Sequence, residues 1–326
     1  MALTSRLSLT GPDVSEPEDF LSSSLGIIFR RFSPTAFLLF SHLCTKSYSP
    51  ANDVTNLHGN ADHGLLYTSP HLPKPLEFSL AQVSDEADRK LFSHYLWNSS
   101  LLLAELIESS TLGLNPAERH DFSVSALSTI ELGAGTALPS VMGGLLGAKR
   151  VVVTDYPSPP VIVTLRENVN SLIKSENSPS ERFAVEEVKV GGHCWGEFDN
   201  ELAKGFKNQF DRVYAADCLW MPWQHDNLRR SVAWFLKESE EARAWIVGAF
   251  HTGREKVALF FDEEKLMEVG LEVETIWERD CDGVDREWDA DREVEDISAR
   301  KRWLVVGVLK RLRDEKEVRE SKDKAR

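Results

Sequence analysis

Cysteine is scarce: Cys44, Cys194, Cys218 and Cys281 are the four in 326 residues, far apart and without a CxxC pair. That spacing signals neither a disulfide framework nor a zinc site, and it predicts a reducing, cytoplasmic compartment. Apolar runs of membrane length are missing as well, because Arg30, Arg31 and Pro34 interrupt the one candidate, Leu25 to Cys44. Positive charge is in deficit, with 38 lysines and arginines against 52 acids and a formal net charge of −14. A field of that sign argues against a nucleic-acid partner and suits a basic peptide. His58, His63 and His71 are irregularly spaced, so no metal site is predicted.

What is present divides into three parts. Residues 1–83 are rich in Ser, Pro, His and Asn, with only a short apolar burst at Ala36 to Phe40, and read as an irregular N-terminal arm. From Ser84, followed by Asp85 and Glu86, a helix is expected through Glu108, its buried face built from Leu91, Phe92, Tyr95, Leu96, Leu102, Leu103, Leu106 and Ile107. From Val124 the pattern changes to short apolar runs separated by helical or loop segments, the rhythm of an open α/β sheet. Strands are expected at Ala126–Leu132, Arg150–Thr154, Glu187–Val190, Arg212–Ala216, Ala244–Phe250, Leu271–Trp277 and Arg302–Leu309. The last two are joined by a charged stretch without helical period, which predicts direct antiparallel pairing. That stretch, Glu278 to Asp296, holds ten acids and three bases and reads as a solvated loop able to steer a basic peptide. A structural domain over 84–310 would then be followed by a charged tail, 311–326.

The sharpest local signal is Ile130-Glu131-Leu132-Gly133-Ala134-Gly135-Thr136-Ala137-Leu138-Pro139, a strand running into a glycine turn and a helix. Gly133 and Gly135 permit positive φ and close approach of a ligand, and Pro139 suits a first helical turn. Dinucleotides and S-adenosylmethionine both use such a turn. A dinucleotide fingerprint wants a small residue where Leu138 stands. Glu131 suits a ligand with a cationic amino-acid end better than a pyrophosphate. Asp155, 22 residues beyond Gly133 and closing the next apolar run, can accept both ribose hydroxyls, with a helix cap as the structural alternative.

With these residues the chain resembles the seven-strand S-adenosylmethionine-dependent methyltransferases, and within them the family 16 protein lysine methyltransferases. It is most similar to the fungal group labelled nicotinamide N-methyltransferase and associated with the N-terminus and adjacent lysine of elongation factor 1-alpha. Glu16-Pro17-Glu18-Asp19-Phe20, Leu96-Trp97-Asn98, Glu131 to Pro139, Val153 to Pro157 and Ala216-Asp217-Cys218-Leu219-Trp220 carry the resemblance, with a late stretch from Val294 to Lys310. It implies a Rossmann-like α/β fold: a seven-stranded, mostly parallel sheet with helices on both faces and the last two strands antiparallel. It also implies cofactor contacts at Trp97, Gly133, Ala134, Gly135, Asp155, Trp195 and Ala216. Three departures stand out: Trp220 takes a place where the family has Tyr or Phe, Ala137 replaces a third glycine, and Arg30 to Asn52 has no counterpart before Asp53-Val54-Thr55-Asn56.

Methyl transfer is an in-line displacement in which alignment and exclusion of water dominate. An amine attacks only when neutral: at pH 7 roughly one lysine in a few thousand is neutral, against about one α-amine in ten. Asp217 is accordingly expected to orient the incoming ammonium or pass on its proton, with Trp220 and Trp223 contacting the amine through cation–π attraction. His193 beside Cys194 reads as an ordinary loop histidine, since no orienting acid is implied nearby. The alternative acceptor is a small heteroaromatic such as nicotinamide, whose nitrogen is already neutral. A binding protein that has lost catalysis and a nicotinamide-dependent oxidoreductase are weaker alternatives.

Overall fold

The structure is a computed structural model, and it describes residues 2–10, 57–59, 64–86, 92–93, 95–179, 182–293 and 297–312. The stretches Glu16–Phe20, Arg30–Asn52 and Asp53–Asn56, and the tail beyond residue 312, lie outside the described residues.

The main sheet has eight strands: β1 Ser128–Leu132, β2 Arg150–Asp155, β3 Glu187–Gly192, β4 Arg212–Ala216, β5 Arg243–Ala249, β6 Leu271–Asp280, β7 Asp285–Glu287 and β8 Trp303–Arg311. Their spatial order is β7-β6-β8-β5-β4-β1-β2-β3. The strands β3, β2, β1, β4 and β5 run parallel, while β8 pairs antiparallel with both β5 and β6. All seven expected strands are present, and the expected antiparallel pair forms. The sheet is buried on both faces, so alternate residues feed separate cores. Val151, Val153, Tyr214, Trp245 and Val306 belong to one core, Ile130, Leu132, Val152, Val213 and Ile246 to the other. The helices α1 Asn98–Leu112, α2 Leu138–Leu145 and α3 Pro159–Leu172 contribute to the first core, and α5 His225–Phe235 to the second, with the short α4 Glu201–Gly205 between them in sequence.

The eighth strand, β7, lies in the stretch expected to be a solvated loop, and the structure corrects that reading. β6 extends to Asp280 and turns back on itself, pairing Trp277 with Glu287 and Arg279 with Asp285. Glu278 is fully buried, its carboxylate gripped by Arg254 at 2.6 and 2.9 Å and by Arg286 at 2.6 Å. Arg279 holds Glu118 and Asp285 in the same way. Arg254, Arg279 and Arg286 thus pair Glu278 and Asp285, while Asp282, Glu287, Asp289, Asp291 and Glu293 stay exposed as expected.

The helix expected from Ser84 is interrupted. Phe92 takes a left-handed φ of 55°, and Leu96–Trp97 is extended, pairing with Leu57–His58. The described helix α1 therefore starts at Asn98, with Trp97 as its N-cap rather than a residue on its buried face. It ends at Gly113, whose φ of 68° lets its N–H close on Ser110.

Where described, the segment expected as an irregular arm carries structure. Leu7–Leu9, Leu65–Tyr67 and Leu76–Phe78 form a three-stranded antiparallel sheet. Leu3, Leu65, Tyr67, Leu76 and Phe78 enter the same core as α1. Arg6 reaches into that core, donating to Glu108 at 2.8 Å and to Tyr67 Oη at 3.1 Å. Strands of three residues are too short to show a period, which is why the sequence pattern misses them.

Candidate active site

The strand order reverses at β1, since β2 and β3 continue on one side of it and β4 and β5 on the other. Side chains at the carboxyl ends of these strands face a shared crevice, the place where open α/β sheets bind ligands. A cavity of about 300 Å³ opens there. Trp97, Gly133, Ala134, Gly135, Asp155, Trp195, Ala216, Asp217 and Trp220 all line it, whereas Glu131 and Trp223, also expected from the sequence, do not.

The first turn is tight. Gly133 and Gly135 have φ of 69° and 57°, and a Cβ on Gly133 would stand 2.8 Å from Cys218 Sγ and 3.0 Å from the Trp195 indole. On Gly135 a Cβ would lie 3.2 Å from the Ser93 carbonyl oxygen. Ala137, at φ 67°, caps α2 in a conformation that favours glycine, and Pro139 falls in the first helical turn as expected.

Asp155 ties this turn to the next strand. Its Oδ2 accepts the Gly135 N–H at 2.8 Å and its Oδ1 the Tyr156 N–H at 2.7 Å. Burial nevertheless pushes its pKa up to about 6. It does not cap α3, whose N-cap is Ser158. Each carboxylate oxygen keeps acceptor capacity beside the cavity.

Glu131 requires a correction. It is completely buried and absent from the cavity wall, because in β1 it points to the face opposite Ile130 and Leu132. Its Oε2 accepts the Ser140 N–H at 3.0 Å, satisfying a free donor in the first turns of α2, and burial pushes its pKa up to about 8. The residue closes a helix end and does not face the ligand space.

Asp217 follows β4 in a left-handed conformation, φ 61°, with its N–H on the Val247 carbonyl at 2.8 Å. It caps no described helix. Its Oδ1 lies 3.2 Å from His251 Nε2, while Oδ2 is buried without a hydrogen-bond partner. Around it stands an aromatic group. Phe92 meets Trp220 edge-on at 5.6 Å and Trp97 at 6.4 Å, and Trp220 meets Trp223 at 6.3 Å. Trp223 is 71% exposed and does not line the cavity.

Several lining residues escaped the sequence reading. Phe92, Tyr95 and Ser93 come from the irregular stretch before α1, and Met221, Gln224 and Asn227 from the segment entering α5. Loops without periodicity give no local signal for such placement. His193 is buried against Ser231, its Nε2 3.0 Å from the hydroxyl oxygen, and burial pushes its pKa down to about 4. It lies in the loop just past β3, as expected, but is packed there, with no acid partner among the described residues. Burial and the nearby carboxylates hold the Cys218 thiol well above its ordinary range, so it stays protonated under the glycine turn. No group of three or more His, Cys, Asp or Glu able to hold a metal occurs among the described residues.

Residues 82–266 match the model of a family described as lysine methyltransferase. Protein N-terminal and lysine N-methyltransferase EFM7 of Gibberella zeae is 32% identical over 200 residues, 58% of this chain and 70% of that protein. Its namesake from Schizosaccharomyces pombe is 30% identical over 221 residues, covering 66% of this chain and 77% of the relative. The Candida glabrata protein of the same name is 32% identical over 154 residues, so this chain spans about half of its length, 54%. Among solved structures, magnesium protoporphyrin IX methyltransferase from Synechocystis with bound SAH shares 12% identity over 71% of this chain and 88% of that one, with a TM-score of 0.37.

Proposed function

The chain belongs to the lysine methyltransferase family, and from that premise we propose that it methylates the N-terminal amine and adjacent lysine of a protein, with S-adenosylmethionine as donor and elongation factor 1-alpha as acceptor. The relatives' names supply the acceptor groups, and elongation factor 1-alpha comes from the sequence resemblance. A cytoplasmic setting is part of the same proposal, in keeping with free thiols at Cys194, Cys218 and Cys281. No helix among the described residues is long and apolar enough to cross a membrane.

The residues fit the donor. A turn where added Cβ atoms would collide, a carboxylate on the adjacent strand end and aromatic walls at Trp97 and Trp195 suit a nucleoside with an amino-acid end. Trp97, Gly133, Ala134, Gly135, Asp155, Trp195 and Ala216 would hold it, Asp155 through the ribose hydroxyls. When bound, S-adenosylmethionine supplies a methyl group on positively charged sulfur.

The chain's own part is to align the amine and exclude water. The observation that carries this reading is the unpaired, buried Oδ2 of Asp217 on the cavity wall. A carboxylate oxygen so placed accepts an N–H from the arriving amine, fixes the nitrogen and serves as the base through which the ammonium proton passes on its way to solvent. Phe92 and Trp220 form an apolar, cation-tolerant wall next to it. A neutral heteroaromatic nitrogen has no use for that carboxylate, and nothing in the relatives' names favours nicotinamide.

The test is to incubate purified protein with labelled S-adenosylmethionine and elongation factor 1-alpha and to map label by mass spectrometry. Label on the N-terminus and neighbouring lysine is expected. Label confined to small molecules would overturn the acceptor, and absence of donor uptake in equilibrium dialysis would overturn the whole reading.

A further inference from the structure

We propose that His251 is the positioning residue that aims Asp217 at the acceptor amine. The inference rests on the functional reading above and adds a residue that neither the glycine turn nor the strand-end motifs contain.

The placement follows from adjacent strands. β4 and β5 are parallel neighbours with Ala216 opposite Val247, so their carboxyl ends open side by side. After β5 the chain reverses sharply: the Gly253 N–H closes on the Phe250 carbonyl at 3.0 Å, with Gly253 at φ 107°. This turn carries His251 back over the end of β4. Its Nε2 lies 3.2 Å from Asp217 Oδ1, and the imidazole packs on the Trp97 indole with ring centroids 5.1 Å apart. His251 is not itself on the cavity wall, but it touches two residues that are.

The chemistry of the pair fixes its direction. An ionised carboxylate only accepts hydrogen bonds, so Nε2 must carry the proton and donate it to Oδ1. Nδ1 is buried and has no partner among the described residues. With Oδ1 occupied by His251, and the Ala249 N–H 3.5 Å away, Oδ2 is left as the oxygen without a partner, on a residue that lines the cavity. Asp217 keeps this geometry in a backbone conformation that costs ~1–2 kcal/mol for most residues and is tolerated by Asp. Strain of that kind persists where surroundings over-determine it, and it gathers at working sites. Asp217 is the group that touches substrate, and His251 acts through it.

Side-chain replacements separate donation from packing. His251→Gln puts an amide N–H close to the Nε2 position, while His251→Leu fills the space without a donor. With the acceptor protein or its N-terminal peptide, His251→Leu is expected to lose about tenfold to hundredfold in kcat/KM, the usual effect of removing a hydrogen bond to a charged group. His251→Gln is expected to recover to within roughly threefold of native. Affinity for S-adenosylhomocysteine by calorimetry should stay within about threefold in both. In an Asp217→Asn background, adding His251→Leu should cost less than about twofold more, because the partner has already gone. Equal activity of Leu, Gln and native proteins, or a full additional loss in the Asp217→Asn background, would overturn the assignment. Thermal unfolding of the native protein, His251→Leu, Asp217→Asn and the double variant reads the contact without any substrate. A non-additive loss is expected, and strict additivity overturns the pairing whatever the acceptor proves to be.

Discussion

Asp217 combines a left-handed backbone, a buried carboxylate and one oxygen without a partner, three costs concentrated in one side chain. Asp217→Asn keeps the shape and removes the charge. Turnover with a protein acceptor is expected to fall about hundredfold while donor binding holds, as steady-state kinetics and calorimetry would show. Unchanged turnover in both Asp217→Asn and Trp220→Ala would remove the proposed acceptor site. At Asp155 the expectation concerns pH. Its folded pKa, about 6, stands above the ordinary carboxylate range, so the ligand-free fold favours the protonated form. Its contribution to stability therefore declines as pH rises from that range through about 6, whereas binding ribose hydroxyls calls for the ionised form. Donor affinity should consequently fall as pH drops below 6, approaching about tenfold per pH unit, and titration between pH 5 and 8 checks it. A flat profile would detach Asp155 from the sugar. Ala137 gives a stability measurement. Ala137→Gly relieves a left-handed alanine at ~1–2 kcal/mol but loosens the unfolded chain by ~0.5–1 kcal/mol, so a small rise in thermal midpoint is expected. At this scale the sequence shows which residues sit at strand ends. It does not show facing, which is why Glu131 reads as a ligand contact and proves to close a helix, and why a lone His251 gives no pattern at all.

At the scale of elements, long buried strands declare themselves and short ones do not. Arg150-Val-Val-Val-Thr and Trp303 to Arg311 are apolar because both faces of the sheet are covered. Leu7–Leu9 and Leu65–Tyr67 pair across more than fifty residues with three residues each, leaving nothing for a period to register. Their attachment depends on Arg6, whose guanidinium is buried against Glu108. Removing one member of such a pair strands the other charge, so Arg6→Ala is expected to cost ~3–5 kcal/mol in urea unfolding. A loss below ~1 kcal/mol would mean the N-terminal sheet is dispensable to the core. The hairpin of β6 and β7 teaches the same lesson through charge. Ten acids suggest solvent exposure, yet Glu278 ends up enclosed by arginines, two of which, Arg254 and Arg286, lie well apart in the chain.

For the whole molecule, net charge remains after local pairs are satisfied. A chain at −14 attracts a basic acceptor over a distance that salt shortens to ~8–10 Å. The Michaelis constant for a lysine-rich acceptor is expected to rise severalfold between low and physiological salt with kcat nearly constant, since alignment inside the cavity is shielded from bulk ions. A salt-dependent kcat with a constant KM would place the electrostatics in the chemical step instead.

One topological detail bears on how the molecule comes into being. Trp303–Arg311 is the final described strand, yet it lies inside the sheet, wedged between Arg243–Ala249 and Leu271–Asp280. During synthesis those two older strands wait with unmated edges, and neither half of the sheet can seal until this segment clears the ribosome. The nascent polypeptide is therefore expected to present two open β-edges until its last described strand is made, the kind of edge that invites wrong pairing.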